Sequence, residues 1–157
     1  MTEKPSAYKS ILVFDPGDST GWCFQDITGR LTGGTAKKVH EEVAQLIELL
    51  KPDVVIFERF NLYPQKAKSL AWNSFYPCEV IGVIRFLCDR YRIPYVEQSP
   101  GIKKYSGGFK QDWDYLKEHK TGSVTEHTKD AYQHYRYFIL NGAKKFGIVD
   151  PLKRGDV

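Results

Sequence analysis

Two short apolar runs, each followed by an acidic residue, constrain this chain more than any other feature. Residues 11–14 read ILVF before Asp15, and residues 54–57 read VVIF before Glu58. Uninterrupted apolar runs of this length are typical of buried strands. If the two strands are adjacent and parallel, their carboxyl ends bring Asp15 and Glu58 to one edge of a sheet, where α/β proteins usually bind their ligands.

Turn formers divide the first forty residues into three strands. The segment PGDSTG follows Asp15, and a second turn is predicted at residues 26–30. The intervening segments 22–25 and 31–38 then form an antiparallel meander with the first strand. Residues 94–98 predict a fifth strand near the middle of the chain.

Helical periodicity appears in two places between these strands. Apolar residues of the first helix recur on one stripe that stops at Lys51 and Pro52: Val39, Val43, Leu46, Ile47 and Leu50. Residues 66–91 predict a helix broken near Pro77. Its second half is apolar around much of its circumference, which indicates burial on more than one side.

A last helix is predicted from a capping box in which Ser123 is the cap and Glu126 lies three residues on. It should run to about residues 141–142, with an apolar stripe at Ala131, Tyr135, Phe138 and Ile139. The segment 100–122 before it is a connection carrying glycines and lysines. Residues 144–157 are predicted to be a mobile or loosely docked basic tail.

Composition bounds the class of protein. A chain of 157 residues is long enough for one core, so a single domain over 1–157 is expected. A hydrophobic fraction of 41% excludes a disordered chain, and a net charge of +4 permits an anionic partner without requiring one.

Three cysteines without C-x-x-C spacing argue against disulfides and zinc, and no apolar run is long enough for a membrane span. We therefore expect a cytoplasmic protein with no membrane contact.

The acidic residues form a pattern that predicts metal chemistry. His127 and Asp130 are three apart, hence on one face of the last helix, and should point toward the edge that carries Asp15 and Glu58. Clustered carboxylates are costly without a cation, and two Mg²⁺ ions about 4 Å apart can drive phosphodiester hydrolysis. Singly, each acid is an ordinary cap or turn residue and His127 an ordinary surface residue. Only the joint pattern indicates a nuclease.

Five segments, in this order, carry a resemblance to a known family: ILVFDPGDSTGW, VVIFERF, EVIGVIRFLCDRY, PYVEQSPGIKKY and HTKDAY. The chain resembles the RuvC-like Holliday junction resolvases, particularly the small phage-type versions, within the ribonuclease H-like superfamily. The resemblance implies an α/β fold with a five-stranded mixed sheet in order 3-2-1-4-5. It also implies a homodimer whose two sites nick opposite strands of a four-way junction symmetrically.

The same resemblance implies that Asp15, Glu58 and Asp130 are catalytic metal ligands and that His127 takes a fourth position. Many relatives have aspartate at that position. Because imidazole suits Mn²⁺ better than Mg²⁺, we expect Mn²⁺ to substitute for Mg²⁺. Alternatively, His127 orients the water or a phosphate.

Candidate DNA contacts lie beside this edge. Lys103, Lys104 and Lys110 stand among glycines in the long connection, where they could neutralise phosphates or simply be solvated. Phe60 and Tyr63 follow Glu58 and could stack on bases unpaired at a crossover or be ordinary packing residues.

Three other functions fit parts of the pattern. A related nuclease acting on RNA:DNA hybrids or flaps would need the same acids. A phosphate-binding fragment of the actin-like sugar kinases shares a loop like residues 15–21, but no second such loop is present. A non-catalytic protein that binds branched DNA would leave the acids incidental.

Overall fold

A five-stranded mixed sheet organises the protein. The structure, a computed structural model, describes residues 8–61, 75–105, 114, 118 and 124–148, with only the backbone of 103–105. The strand order is β3-β2-β1-β4-β5, as predicted. β1 pairs antiparallel with β2 and parallel with β4, β2 pairs antiparallel with β3, and β4 pairs parallel with β5. The strands are β1 (Ile11–Asp15), β2 (Thr20–Gln25), β3 (Leu31–Ala36), β4 (Val54–Glu58) and β5 (Tyr95–Gln98).

The two faces of the sheet hold separate cores, because alternate residues of a strand point to opposite sides. On one face, residues such as Leu12, Phe14, Val55 and Phe57 pack under helices α1 (Val39–Leu50) and α2 (Tyr76–Tyr91). The other face, with residues such as Val13 and Ile56, packs under helix α3 (Glu126–Asn141). The central strands are therefore buried on both sides, which explains their continuous apolar runs.

Helix α1 begins and ends where the sequence predicts. The Glu42 carboxylate accepts hydrogen bonds from the amides of Lys37 and Lys38, at 2.6 and 2.8 Å, and so caps the start of the helix. At its other end Lys51 takes the left-handed conformation with φ 44°, and Pro52 follows. The stop therefore combines a left-handed cap with a residue that cannot continue a helix.

Helix α2 is less buried than predicted. Val80 and Ile84 are fully buried, but Phe86 is 63% exposed and Tyr91 is 43% exposed. Among the described residues α2 packs on α1 and the sheet and leaves Phe86 exposed on its outer side, so burial of that side would require a second chain. Pro77 lies in its first turn, where a missing amide is tolerated, so the predicted break is a helix start. Predicted helical residues 66–74 lie outside the described residues.

The start of α3 differs from the predicted capping box. Thr125, not Ser123, is the cap: its hydroxyl accepts from the amide of His127 at 3.2 Å. Thr128 completes the box by accepting from the Thr125 amide at 3.1 Å, in place of Glu126. Thr125 is the cap because the Thr128 hydroxyl, which completes its capping box, is also held by hydrogen bonds to β3. The helix ends at Asn141 before Gly142, as predicted.

The first residues of the predicted tail are packed rather than loose. A short 3-10 helix, Ala143–Phe146, follows α3, and Phe146 packs against Phe138 with the two rings tilted and their centroids 5.7 Å apart. Ile148 is buried in the same core. The prediction is therefore wrong for 144–148, and 149–157 lie outside the described residues.

All three cysteines lie among the described residues. Cys23, Cys78 and Cys88 are free thiols. Burial raises the pKa of the Cys88 thiol to about 12, so this cysteine is protonated at neutral pH. Among the described residues, no helix combines the length and apolarity needed to cross a membrane.

Candidate functional site

Asp15 and Glu58 occupy neighbouring strand ends on one face of the sheet. Phe14 pairs with Phe57 across β1 and β4, so the two acids are the next residues of adjacent parallel strands. Both alternate with residues of the α3 core, Val13 and Ile56, and therefore project toward α3. Adjacent strands lie about 4.8 Å apart, which brings the two acids within reach of a common ligand.

Helix α3 crosses above this edge and brings His127 to Asp15. The distance from His127 Nδ1 to Asp15 Oδ2 is 3.4 Å. The imidazole is 47% exposed, whereas the Asp15 side chain is only 12% exposed. His127 therefore covers a largely buried carboxylate from the solvent side, as expected for residues that share a site.

A second histidine of α3, not predicted from sequence, contacts Glu58. His134 Nε2 lies 2.7 Å from Glu58 Oε2, and His134 Nδ1 lies 2.7 Å from Gln98 Oε1. His134 is completely buried. Gln98 is the last residue of β5 and pairs with Glu58 across the sheet. Consecutive ends of β1, β4 and β5 thus carry Asp15, Glu58 and Gln98 under one helix.

Asp130 lies between the two histidines along α3. It is three residues after His127 and four before His134, so all three occupy one side of the helix. Its side chain is partly buried. The predicted helical member of the acidic group therefore lies on the side of α3 that contacts the strand ends.

Close backbone contact fixes the start of α3 over the sheet. A Cβ built on Gly21 would lie 1.9 Å from the carbonyl oxygen of His127, so only glycine fits at this point of β2. The Thr128 hydroxyl donates to the Gly34 carbonyl at 2.8 Å and lies 3.0 Å from the Thr35 hydroxyl. These contacts hold His127 at its distance from Asp15.

The residues that the sequence reasoning missed have weak but readable signals. His134 follows Asp130 by four residues, the spacing of neighbours on one helix face. Gln98 ends the fifth strand as Glu58 ends the fourth. Neither signal was sufficient alone, because the contact depends on where α3 crosses the sheet.

The chemistry of these side chains suits a hard divalent cation. Carboxylate oxygens are the usual ligands of Mg²⁺ and Mn²⁺, and two carboxylates this close repel each other unless a cation or proton intervenes. In the part of the chain that the structure describes, no three histidine, cysteine or acidic side chains already form a metal-binding cluster. Each strand-end acid has a histidine of α3 beside it: Asp15 has His127, and Glu58 has His134. The donor types therefore fit the cation, and Asp15 and Glu58 would be its first ligands.

The predicted DNA contacts are only partly described. Phe60 is half-buried against the core of the α1 and α2 face and meets Phe75 edge-on, with centroids 6.2 Å apart. Lys103 and Lys104 belong to a 3-10 helix, Pro100–Tyr105, directly after β5, and their side chains are outside the described set. Tyr63 and Lys110 also lie outside the described residues.

Comparison with known proteins finds a partial sequence match and similar solved structures. No family model matches the sequence. A crossover junction endodeoxyribonuclease RuvC from Thermomicrobium roseum is 33% identical over 72 residues, which is 45% of this chain. The aligned segment spans 41% of that relative's own length.

Two solved structures share the fold over nearly their whole length. A T. thermophilus RuvC in complex with a Holliday junction substrate has a TM-score of 0.62 at 15% identity, covering 86% of this chain and 97% of that chain. Another Thermus thermophilus RuvC structure has a TM-score of 0.55 at 14% identity, covering 88% and 97%. The predicted α/β fold with sheet order 3-2-1-4-5 is confirmed. The chain therefore has the fold of RuvC and shares part of its sequence with a RuvC, which confirms the predicted resemblance to RuvC.

Proposed function

We propose that this protein is a divalent-metal-dependent endonuclease that resolves branched DNA, with the four-way Holliday junction as its substrate. One observation carries the proposal. Asp15 and Glu58 end adjacent parallel strands on the face covered by α3, where His127 lies 3.4 Å from Asp15. The sequence match to a protein named as a crossover junction endodeoxyribonuclease supports this substrate class, as does the fold shared with a RuvC solved on a junction.

Asp15, Glu58 and Asp130 would hold the cations, with His127 at their exposed side. When bound, a pair of Mg²⁺ or Mn²⁺ ions supplies an activated water and charge stabilisation for phosphodiester hydrolysis. The burial of Asp15 limits the water around its carboxylate and strengthens its electrostatic interactions. His127 is exposed enough to reach a phosphate or an attacking water while its Nδ1 faces Asp15.

Lysines 103, 104 and 110 are assigned to the phosphates of the junction arms. The net charge of +4 is compatible with this contact, and such binding should weaken as salt rises. Phe60 and Tyr63 are assigned to the unpaired bases at the crossover.

A homodimer completes the proposal, because paired symmetric nicks need two sites. The outward face of α2 supplies a candidate contact. Phe86 is 63% exposed there, on the side of the helix opposite its buried residues. Large exposed aromatic side chains are frequent at protein interfaces. Analytical ultracentrifugation of the wild type and Phe86→Glu tests this: a dimer that the variant converts to monomer is expected, and a monomeric wild type contradicts it.

Cleavage of a matched set of substrates tests the activity. Purified protein is incubated with a four-way junction, a flap, an RNA:DNA hybrid and a linear duplex of the same sequence, in Mg²⁺ or Mn²⁺. We expect paired symmetric nicks in the junction, an intact linear duplex and no cleavage in EDTA. Preference for the hybrid or the flap would assign the protein to the related nuclease class instead.

The non-catalytic alternative has its own discriminating outcome. If the protein binds the junction tightly but leaves it intact with either metal, the acids are incidental and the protein is a branched-DNA binder. If Asp15→Asn binds the junction as the wild type does but no longer cuts it, that alternative is excluded.

A further inference from the structure

His134 differs in its surroundings from every other histidine described. It is completely buried, whereas His127 is 47% exposed and His40 is 48% exposed. Both ring nitrogens of a buried imidazole need hydrogen-bond partners, because otherwise nothing offsets the free energy lost when the ring leaves water. Both are satisfied here, by the side chains that end two neighbouring strands of the sheet.

The hydrogen-bond chemistry fixes the direction of the contact with Glu58. An ionised carboxylate only accepts hydrogen bonds, so His134 Nε2 donates to Glu58 Oε2. The Gln98 side-chain amide lies 2.7 Å from Nδ1 and can pair with it through either its oxygen or its nitrogen. The proton on Nε2 therefore points at Glu58, and Gln98 holds the ring in place.

Glu58 needs such a partner more than Asp15 does. A glutamate has one more rotatable bond than an aspartate, so a glutamate at a strand end can place its carboxylate in more positions. A metal ligand must be held within about 0.5 Å of its working position, which surrounding hydrogen bonds usually achieve. His134 ties down one carboxylate oxygen, Oε2, from a rigid and buried helix position.

We infer that His134, supported by Gln98, is a positioning residue that orients Glu58 toward the cation site and thereby sets the affinity of the site for the cation. This inference rests on the proposed nuclease function. It assigns His134 no contact with the substrate. It distinguishes the two histidines of α3: His127 faces solvent, where a phosphate would bind, and His134 acts only through Glu58.

Mn²⁺ affinity of matched variants tests the inference. His134→Leu removes both hydrogen bonds of the ring, and His134→Gln keeps one hydrogen-bond donor. Gln98→Met removes the side-chain partner of His134 Nδ1. The control is Tyr135→Phe, which removes a buried hydrogen bond to Gln25 from the next residue of the same helix, away from the site. Mn²⁺ binding is measured by electron paramagnetic resonance, alongside junction cleavage over a range of Mn²⁺ concentrations and the free energy of unfolding.

A positioning role makes a specific prediction. His134→Leu should weaken Mn²⁺ binding by about 10- to 100-fold, the usual loss when a partner of a metal ligand is removed. The Mn²⁺ concentration for half-maximal cleavage should rise by the same factor, and excess Mn²⁺ should restore most of the rate. His134→Gln and Gln98→Met should lose less, and Tyr135→Phe should bind Mn²⁺ as the wild type does.

The opposite results are equally distinct. Mn²⁺ affinity within twofold of the wild type in folded His134→Leu would overturn the inference. If that variant does not fold, the same result in both His134→Gln and Gln98→Met overturns it. A wild type that binds no Mn²⁺ and cuts no junction defeats the proposed function itself, whereas a fully active wild type with indifferent His134 variants defeats only the positioning role.

Discussion

The two faces of the sheet are formed by the same strands but differ in the residues at the carboxyl ends of those strands. On the face under α1 and α2, the rows of β1 and β4 finish with Phe14 and Phe57, both fully buried. On the face under α3, the same strands finish one residue later with Asp15 and Glu58. The difference shows where the described residues place their acids: at the carboxyl ends of the central strands, on the side that α3 covers.

The helices above the two faces differ in the same way. Helix α2 places residues such as Val80 and Ile84 on the sheet, and its contribution is burial of apolar surface. Helix α3 places apolar residues such as Ala131 and Phe138 over the middle of the strands, and His127 and His134 over their acidic ends. Changes in the residues that α2 packs on the sheet should therefore alter stability alone, whereas changes at the acidic strand ends under α3 should alter activity.

The largest expected effect comes from neutralising the acids. Asp15→Asn, Glu58→Gln and Asp130→Asn should each lower junction cleavage by about 10³-fold, since cation-assisted charge stabilisation contributes several kcal/mol. The melting temperature should stay the same or rise, because repulsion between the carboxylates is relieved. The control is Asp18→Asn in the exposed loop nearby, which can still accept from the Ser19 amide and should cut normally. Full activity in any of the three variants would show that its acid is misassigned.

A second test moves α3 without touching the acids. Gly21→Ala puts a methyl group into the backbone at His127, so the start of the helix must shift. We expect a loss of about 1–3 kcal/mol in the free energy of unfolding and, from the displaced His127, about 10²-fold in cleavage rate. Gly82→Ala in α2 is the control: its Cβ meets nothing within 4 Å, and alanine should stabilise that helix by up to about 1 kcal/mol. Wild-type cleavage in Gly21→Ala would contradict the importance of this close contact.

A third change weakens the contacts at the start of α3 without creating a clash. Thr128→Val removes the hydroxyl that completes the cap of α3 and bonds to the Gly34 carbonyl. Unfolding measurements should give a loss of about 1–3 kcal/mol, with a smaller loss of cleavage than for Gly21→Ala. Thr128→Ser retains the hydroxyl and should recover most of both. Equal behaviour of the valine and serine variants would argue that the hydroxyl contacts contribute little.

The smallest effect is expected on the apolar face. Ile84→Val, on the buried side of α2, should cost about 0.5–1.5 kcal/mol of stability through lost packing. Cleavage at temperatures well below unfolding should match the wild type, with the same Mn²⁺ dependence. A changed Mn²⁺ dependence would break the division between the two faces.

Much of the fold could be predicted because it depends on local patterns. Apolar runs before Asp15 and Glu58 identified the central strands, and the helical period after Val39 identified α1. The start of α3 was misplaced because both Ser123 and Thr125 are good caps. Contacts of Thr128 with β3, distant in sequence, decide between them.

The site could be predicted only in part for the same reason. Asp15, Glu58 and His127 follow from strand ends and helix faces, which sequence spacing reveals. His134 is buried next to residues of the apolar stripe of α3, such as Tyr135 and Phe138. Because the sequence pattern assigns this part of the helix to the apolar core, it does not indicate a polar role for His134. Its contacts with Glu58 and Gln98 depend on the crossing of α3 over the sheet, which no local pattern specifies.

The position of a bound cation tests the central claim most directly. Crystals grown with Mn²⁺ would locate the metal by its anomalous scattering. We expect a peak within about 2.3 Å of carboxylate oxygens from both Asp15 and Glu58, with Asp130 or His127 completing the coordination. Mn²⁺ bound only elsewhere, with Asp15 and Glu58 making no contact with it at saturating concentration, would contradict the account.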